Sequence, residues 1–297
     1  MHLDAIVIGG SFAGLSAATY IARARRSVCV IDTGLPRNRF AEHSHGFFSH
    51  DGSAPLRMVA TAREQVSAYS SARFVDVAAQ RAARDDEGFV VTLADGQALR
   101  ARRLVLAYGL RDHLPDVPGL AERWGKTVIH CPYCHGFEFS GQRLGVLHVV
   151  PMSVHQAMLV AEWGPVTFYL NGADRPDAET CAELEKRGVI IEPARVRRLH
   201  GEGTQLTGIE LEEGRIQGLD ALYTGSHMQF NSDIAEQLGC ELDELSLGSI
   251  IRTDESRQTT VPGVYAAGDI VRGAHSVTWA CADGVTAGTA LHRSLVF

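Results

Sequence analysis

The apolar run DAIVI at 4–8 stops abruptly at GGSFAG, residues 9–14. Beyond that turn Leu15, Ala18, Tyr20, Ile21 and Ala24 recur at helical spacing, and a second apolar run, VCVID, follows at 28–32. Unbroken apolar runs without polar alternation are what strands buried on both faces of a parallel sheet look like. The strand–turn–helix–strand order therefore predicts a βαβ unit. The same order recurs in RLGVLHVVPMSVHQAMLVAEWGPVTFYL at 143–170, so the two units read as a weak internal duplication.

The segments around these units complete an α/β pattern. Residues 33–55 are rich in Gly, Pro, Asn and His and read as a long functional loop, and a helix is expected over 55–71. From Phe74 to Gly109 the chain reads as strands separated by the turn signals DDEG and ADG. DHLPDVPG at 112–119, with its prolines and glycine, marks a first domain hinge. A third α/β region is expected to about residue 242, and VPGVYAAGDI with the helical TWACADGVTAGTALHRSL closes the chain.

At 297 residues the chain has room for two domains of ordinary size. Hydrophobic residues at 45 % and charged residues at 21 % fit a globular protein. A formal charge of −7 argues against nucleic acid, since nothing forms the basic face that phosphate binding needs. RARRSV at 23–28, the densest basic cluster, reads as the solvated end of a helix. No apolar run reaches the roughly 18 to 20 residues of a membrane span. The N-terminus lacks a basic leader and carries Asp4 early, which speaks against a signal peptide and for a cytoplasmic location.

Six cysteines sharpen this picture. Cys29, Cys181, Cys240 and Cys281 are scattered singly, whereas Cys131 and Cys134 form a CxxC, in the stretch HCPYCHGFEF, with His130 and His135 on either side. In a reducing compartment that spacing suggests a catalytic redox pair, because a thiolate at a helix start or beside a histidine is the nucleophile of disulphide exchange. Pro132 fixes φ between the two, so a helix start or tight bend is expected. Half of a zinc site is the bland alternative, but no second CxxC accompanies it. The loop histidines His43, His45 and His50 complete no metal-ligand set, so no metal is expected.

In GGSFAG, Gly9 and Gly14 take the outer positions of a GxGxxG-type turn and Ser11 the middle one. The first glycine permits the tight turn, the last permits close helix–strand packing, and the helix start offers N–H groups and a positive dipole end to a pyrophosphate. Asp32, 18 residues after Gly14 at the tip of the second run, is placed to bind a ribose hydroxyl.

GGSFAG, LVLAYG at 104–109, CPYC and VYAAGD at 264–269 stand in the order found in low-molecular-weight thioredoxin reductases, and the resemblance covers nearly the whole chain. It implies two Rossmann-like dinucleotide-binding domains of the three-layer ββα type. The FAD domain would be discontinuous, at 1–114 and 243–297, around a central region at 115–242 that carries the CxxC. It also implies FAD as cofactor and a homodimer. Gly268 and Asp269 match the second FAD fingerprint, whose aspartate holds the flavin's ribityl chain. Phe12, Ala13, Ala107, Gly109, Ser276 and Val277 fall at further cofactor-binding positions, and Tyr108 stands where threonine is usual.

Two departures bear on activity. In the reductases a second glycine-rich turn binds NADPH, but here it reads HVVPMS, with His148, Val150 and Ser153 where glycine or alanine is expected. Valine obstructs close backbone approach and Pro151 removes an N–H donor. Past the next strand comes NGADR, whose single Arg175 has an aspartate beside it. The favoured expectation is a retained fold with a lost nicotinamide site, and a variant NADPH site is the alternative. The loop LPRNRFAEHSHGFFSHDG at 35–52, and His135 where the reductases carry an acid, resemble the FAD-dependent dithiol oxidases of gliotoxin and holomycin type. By that resemblance Arg37, Asn38 and His45 touch FAD, Cys134 is proximal to the flavin and Cys131 meets the substrate. His135 or His130 then moves protons. The substrate is a small-molecule, peptide or protein dithiol or disulphide. The rival expectations are an NADPH- or redox-protein-driven disulphide reductase and a non-catalytic flavin-binding module. Trp124, Trp163 and Trp279 are expected to serve core packing in preference to lining a pocket.

Overall fold

The computed structural model describes residues 2–297, which fall into two compact units. The first comprises residues 2–39, Ala54–Arg111 and Met228–Phe297, and the second Phe40–Ser53 and Asp112–His227. These divisions differ from the expected boundaries in three places, at residues 40–53, 112–114 and 228–242. Residues 228–242 go with the first unit because Met228, Phe230, Ile234, Ala235, Leu238, Cys240 and Leu242 belong to its hydrophobic core. The loop 40–53 goes with the second unit, where Glu42 pairs with Lys126 at 2.7 Å and His45 with Glu138 at 3.3 Å.

In the first unit β1 (His2–Ile8), α1 (Phe12–Arg23) and β2 (Val28–Ile31) form the expected βαβ unit, with β1 and β2 parallel. α1 buries Leu15, Ala18 and Ile21, but Tyr20 points to solvent at 43 % exposure. α2 (Pro55–Ser67) ends four residues short of the expected 71, where the serine-rich SAYSS competes poorly for helix and β3 (Ala72–Val75) begins. β4 (Ala79–Asp85), β5 (Gly88–Leu93) and β6 (Ala98–Leu106) are joined by the two turns read from sequence. The sheet order is β3-β2-β1-β6-β5-β4, and strand Val264–Ala266 also pairs with β6.

Alternate residues of the parallel strands feed two cores, as a period of two requires. Ile6, Ile8, Cys29, Ile31, Leu104 and Leu106 join the β5 residues Phe89, Val91 and Leu93 on one side. Val7, Val28, Val30, Val105 and Tyr265 join α1 and the C-terminal helix Val277–Val296 on the other. Gly284 lets those two helices touch, since a Cβ there would lie 2.1 Å from the Ala13 carbonyl oxygen.

The second unit repeats the layering. Its parallel sheet holds strands Val128–Ile129, Leu144–Leu147, Val166–Tyr169, Ile190–Glu192 and Ala221–Thr224. Ile129, Val146, Phe168 and Tyr223 face a core shared with helix Ser153–Val160. Their neighbours Val128, Leu147, Tyr169 and Leu222 face Leu199, Ile209 and Leu211 of a separate antiparallel sheet. Each unit is thus the expected three-layer α/β arrangement. Among the described residues, no helix is long and apolar enough to cross a membrane.

Candidate active site

The CxxC lies in the second unit. Strand Val128–Ile129 delivers His130 and Cys131 to a short helix, α3 (Pro132–His135), of which Cys131 is the N-cap with extended backbone and Pro132 the first residue. Proline suits that position because its missing N–H has no partner to lose there. Cys131 and Cys134 are joined as a disulphide with Cα atoms 5.3 Å apart, and the Cys131 carbonyl accepts from the Cys134 and His135 N–H groups, each at 3.2 Å. Both cysteines are half-buried. Gly136 is required where the helix ends, since a Cβ there would come within 2.9 Å of the Trp163 ring.

The two flanking histidines have different surroundings. His130 Nδ1 lies 3.3 Å from the Thr224 carbonyl, and the His130 carbonyl accepts from Gln156 at 2.8 Å, so it is tied to the sheet. His135 stands edge-on to His45, with ring centroids 6.1 Å apart. Burial pushes the His135 imidazole below its ordinary range; Glu138 pulls it back up, while His45 and His43 add to the depression. His45, expected to touch FAD, lies in the second unit between Asp51 at 3.5 Å and Glu138 at 3.3 Å. Glu138 escaped the reading of the sequence. Its signal was available: it lies three residues beyond His135 in a helical stretch, the spacing at which side chains become neighbours.

The turn HVVPMS also belongs to this unit. Ser153 is 2 % exposed, and its Oγ accepts from the Val149 N–H at 3.0 Å and the Val150 N–H at 3.3 Å. The Ser153 and Val154 N–H groups in turn donate to the Val150 and Pro151 carbonyls, at 2.8 and 3.3 Å. After the next strand, Asn171 accepts from the Val196 N–H at 3.0 Å and Arg175 lies 3.6 Å from Glu185.

The remaining candidates gather in the first unit. A Cβ on Gly9 would stand 2.1 Å from the Ala107 oxygen, and one on Gly14 would stand 1.8 Å from the Gly9 oxygen, so both positions exclude a side chain. α1 begins at Phe12, and Ser11 precedes it as an N-cap that makes no side-chain cap bond, with no acidic residue in the first turn. The N–H groups of that turn have no intrahelical partner, and the turn carries no carboxylate of its own. Asp32 accepts from the Gly10 N–H at 2.9 Å and from the Gly34 N–H at 3.1 Å, so it shapes the turn besides standing at its edge. Ala107 donates its N–H to Ile8 at 2.8 Å, and Gly109 has φ +66°.

Gly268, with φ +86°, ends strand Val264–Ala266 opposite Ala13. Asp269 is paired with Arg37 at 2.9 Å, and the same Arg37 nitrogen lies 2.9 Å from His275 Nδ1. Asn38 follows in the same short 3₁₀ turn. Ser276 caps the C-terminal helix by accepting from the Trp279 N–H at 3.1 Å, and Val277 is its first residue. His275 was missed, as was Asp283, a 2 %-exposed carboxylate held by Arg257 and Arg272. Trp124 and Trp163 pack against cores as expected, whereas Trp279 is 45 % exposed beneath Arg272. Among the described residues, no group of three or more His, Cys, Asp or Glu side chains is arranged to hold a metal ion.

This combination of two layered α/β units, a glycine turn and a CxxC can be set against known proteins. Residues 3–284 match the pyridine nucleotide-disulphide oxidoreductase family. A Leptosphaeria maculans protein named thioredoxin reductase sirT is 31 % identical over 307 residues, spanning 97 % of this chain and 93 % of its own. One from Claviceps purpurea named thioredoxin reductase tcpT is 33 % identical, spanning 90 % of this chain and 86 % of its own. A solved structure of an oxidoreductase from Agrobacterium tumefaciens superposes with a TM-score of 0.96 at 43 % identity, covering 100 % of this chain and 99 % of that one. The chain belongs to the pyridine nucleotide-disulphide oxidoreductase family, whose members bind FAD.

Proposed function

We propose that the chain is a dithiol oxidase: it closes a disulphide in a dithiol substrate through Cys131–Cys134, with FAD as cofactor and dioxygen as final acceptor. The observation that carries this reading is the second turn. There the Val149, Val150, Ser153 and Val154 N–H groups are all engaged within the turn and Pro151 has none to offer. A pyrophosphate needs such groups turned toward it. The exposed Arg175, neutralised by Glu185, is a poor seat for a 2′-phosphate.

The first unit supplies the contrasting fit. The space closed to any Cβ at Gly9 and Gly14 and the uncapped start of α1 suit a pyrophosphate on the N–H groups of Ser11, Phe12, Ala13 and Gly14. We assign Asp32 to the ribose and Gly268, Asp269, Arg37 and Asn38 to the flavin end. Ala107, Gly109, Ser276 and Val277 would border it. Bound FAD supplies the two-electron sink that a reduced cysteine pair needs.

The chain's own residues carry the exchange. A substrate thiolate attacks Cys131 Sγ; the Cys131–Cys134 bond breaks, a substrate–Cys131 disulphide forms and Cys134 leaves as a thiolate. The second substrate thiol then attacks the substrate sulfur of that bond, which closes the product disulphide and releases Cys131. The substrate loses two electrons and two protons, and the cysteine pair gains the electrons. His135, kept in its neutral form by burial, is the base that receives a substrate proton.

The names of the relatives favour a second reading, a disulphide reductase of thioredoxin reductase type. Anaerobic titration separates the two. Under the oxidase reading dithiothreitol bleaches the flavin band, air restores it and NADPH does nothing. Rapid bleaching by NADPH would establish the reductase. Cys134→Ser is expected to retain FAD that dithiols no longer bleach, and persistent bleaching would sink the exchange scheme.

A further inference from the structure

Oxidation of a dithiol releases two protons, yet the scheme above gives the chain one base, His135. The loop 40–53 supplies what surrounds it. This segment is bounded on both sides by residues of the first unit but belongs to the second, where the Glu42–Lys126 pair holds it at 2.7 Å. At its centre His45 places Nε2 3.3 Å from Glu138 and Nδ1 3.5 Å from Asp51, so both ring nitrogens face carboxylates. Asp51 is itself fixed by the Gly46 N–H at 2.8 Å.

We propose that His45 and Glu138 are positioning residues that frame His135 and tune, in opposite directions, its capacity to take the substrate proton. This rests on the reading of Cys131–Cys134 as a redox pair. The first proton passes from a substrate thiol to His135 as the Cys131–Cys134 bond opens. The second, freed when the product disulphide closes, passes to solvent, while the electrons stay on the cysteine sulfurs.

The charged and titratable groups that face this cluster come from three elements. The loop contributes His43, whose ring lies 6.3 Å from that of His45, together with His45 and Asp51. The turn after CPYC contributes His135 and Glu138, and the sheet beneath contributes Tyr223. The Tyr223 hydroxyl is buried without a hydrogen-bond partner, and burial followed by Glu138 pushes the phenol well above its usual range, so it stays neutral and does not compete.

The test is the pH profile of disulphide opening by dithiothreitol, read by peptide-resolved alkylation of Cys131 and Cys134 and, separately, by the flavin band. Variant-to-wild-type ratios cancel the reagent's own ionisation. Removing the negative charge with Glu138→Gln is expected to shift the limb set by His135 to lower pH by about one unit, the size of a near-neighbour charge effect. His45→Gln, which removes the ring standing edge-on to His135, is expected to shift it to higher pH, and Glu138→Asp to restore the wild-type limb. Equal shifts in the same direction, or none, would overturn the proposal. A wild-type disulphide that dithiothreitol does not open at any pH would remove the redox-pair reading and this inference with it. Opening seen by alkylation without flavin bleaching would count against the oxidase reading alone.

Discussion

Each unit begins a βαβ with an apolar strand, a turn and a helix, and the two turns handle their backbone donors in opposite ways. After β1, Ser11 leaves the first turn of α1 uncapped, and Gly9 and Gly14 keep the floor free of side chains. After strand Leu144–Leu147, Ser153 gathers the Val149 and Val150 N–H groups onto its own hydroxyl. The layering is the same, so the fold alone does not decide which N–H groups a turn leaves available to an anion. That depends on whether a turn keeps its donors to itself.

The largest effect is expected from closing the first turn. Gly14→Val puts a side chain where even a Cβ would sit 1.8 Å from the Gly9 oxygen. It should yield protein without flavin absorbance and about 3 kcal/mol less stable in urea unfolding, at the upper end for forced overpacking. A yellow variant of wild-type stability would break the comparison. Opening the second turn should do less. Ser153→Ala orphans two N–H groups at a buried site and is expected to cost about 1–2 kcal/mol. It should not confer reduction by NADPH, because Pro151 and Val150 remain. Bleaching of this variant by NADPH would show that the hydroxyl alone closes the site.

Smaller again is Arg37→Ala, which strips Asp269 and His275 of their shared partner and should weaken FAD retention about tenfold, or about 1.4 kcal/mol, by equilibrium dialysis. The smallest effect concerns Asp220, which accepts from the backbone N–H and guanidinium of Arg143 at the foot of the second sheet. The Arg143 side chain holds that carboxyl below its usual range, so its stabilisation is present above the unfolded value, about 3.9, and is lost as pH falls through the lower folded value. Asp220→Asn should cost about 0.5 kcal/mol at neutral pH, a figure reduced for the screening of this largely exposed pair, and nothing at a pH below both values. A loss independent of pH would assign the effect to packing.

Sequence carried most of the scaffold because it is built from strong local signals. Both βαβ units, the hairpin turns at DDEG and ADG, and the helix start at Pro132 lie where periodicity and turn residues placed them. What escaped was long-range. Residues 228–242 joined the first unit through core contacts of Ile234 and Cys240 that no local pattern announces. His45 met Glu138 across 93 positions, from 138 minus 45, by a loop path that only the fold fixes. Ser153 could be seen as a misfit for a glycine, but that its hydroxyl would satisfy the turn it obstructs was visible only in three dimensions.

The interrupted sequence of the first unit has a consequence for how the protein is made. β1, α1 and β2 are synthesised before residues 112–227, yet strand Val264–Ala266 and the helix that packs on α1 come after all of them. A sheet cannot pair with a strand that has not been translated, and closing so long a loop slows the step further. The middle unit can fold while the outer one waits with α1 unshielded, which makes that interval the aggregation-prone stage of biogenesis. Gly268, Asp269 and Ser276 follow residues 112–227 in synthesis, so the first unit is completed only after the chain of the second has been made.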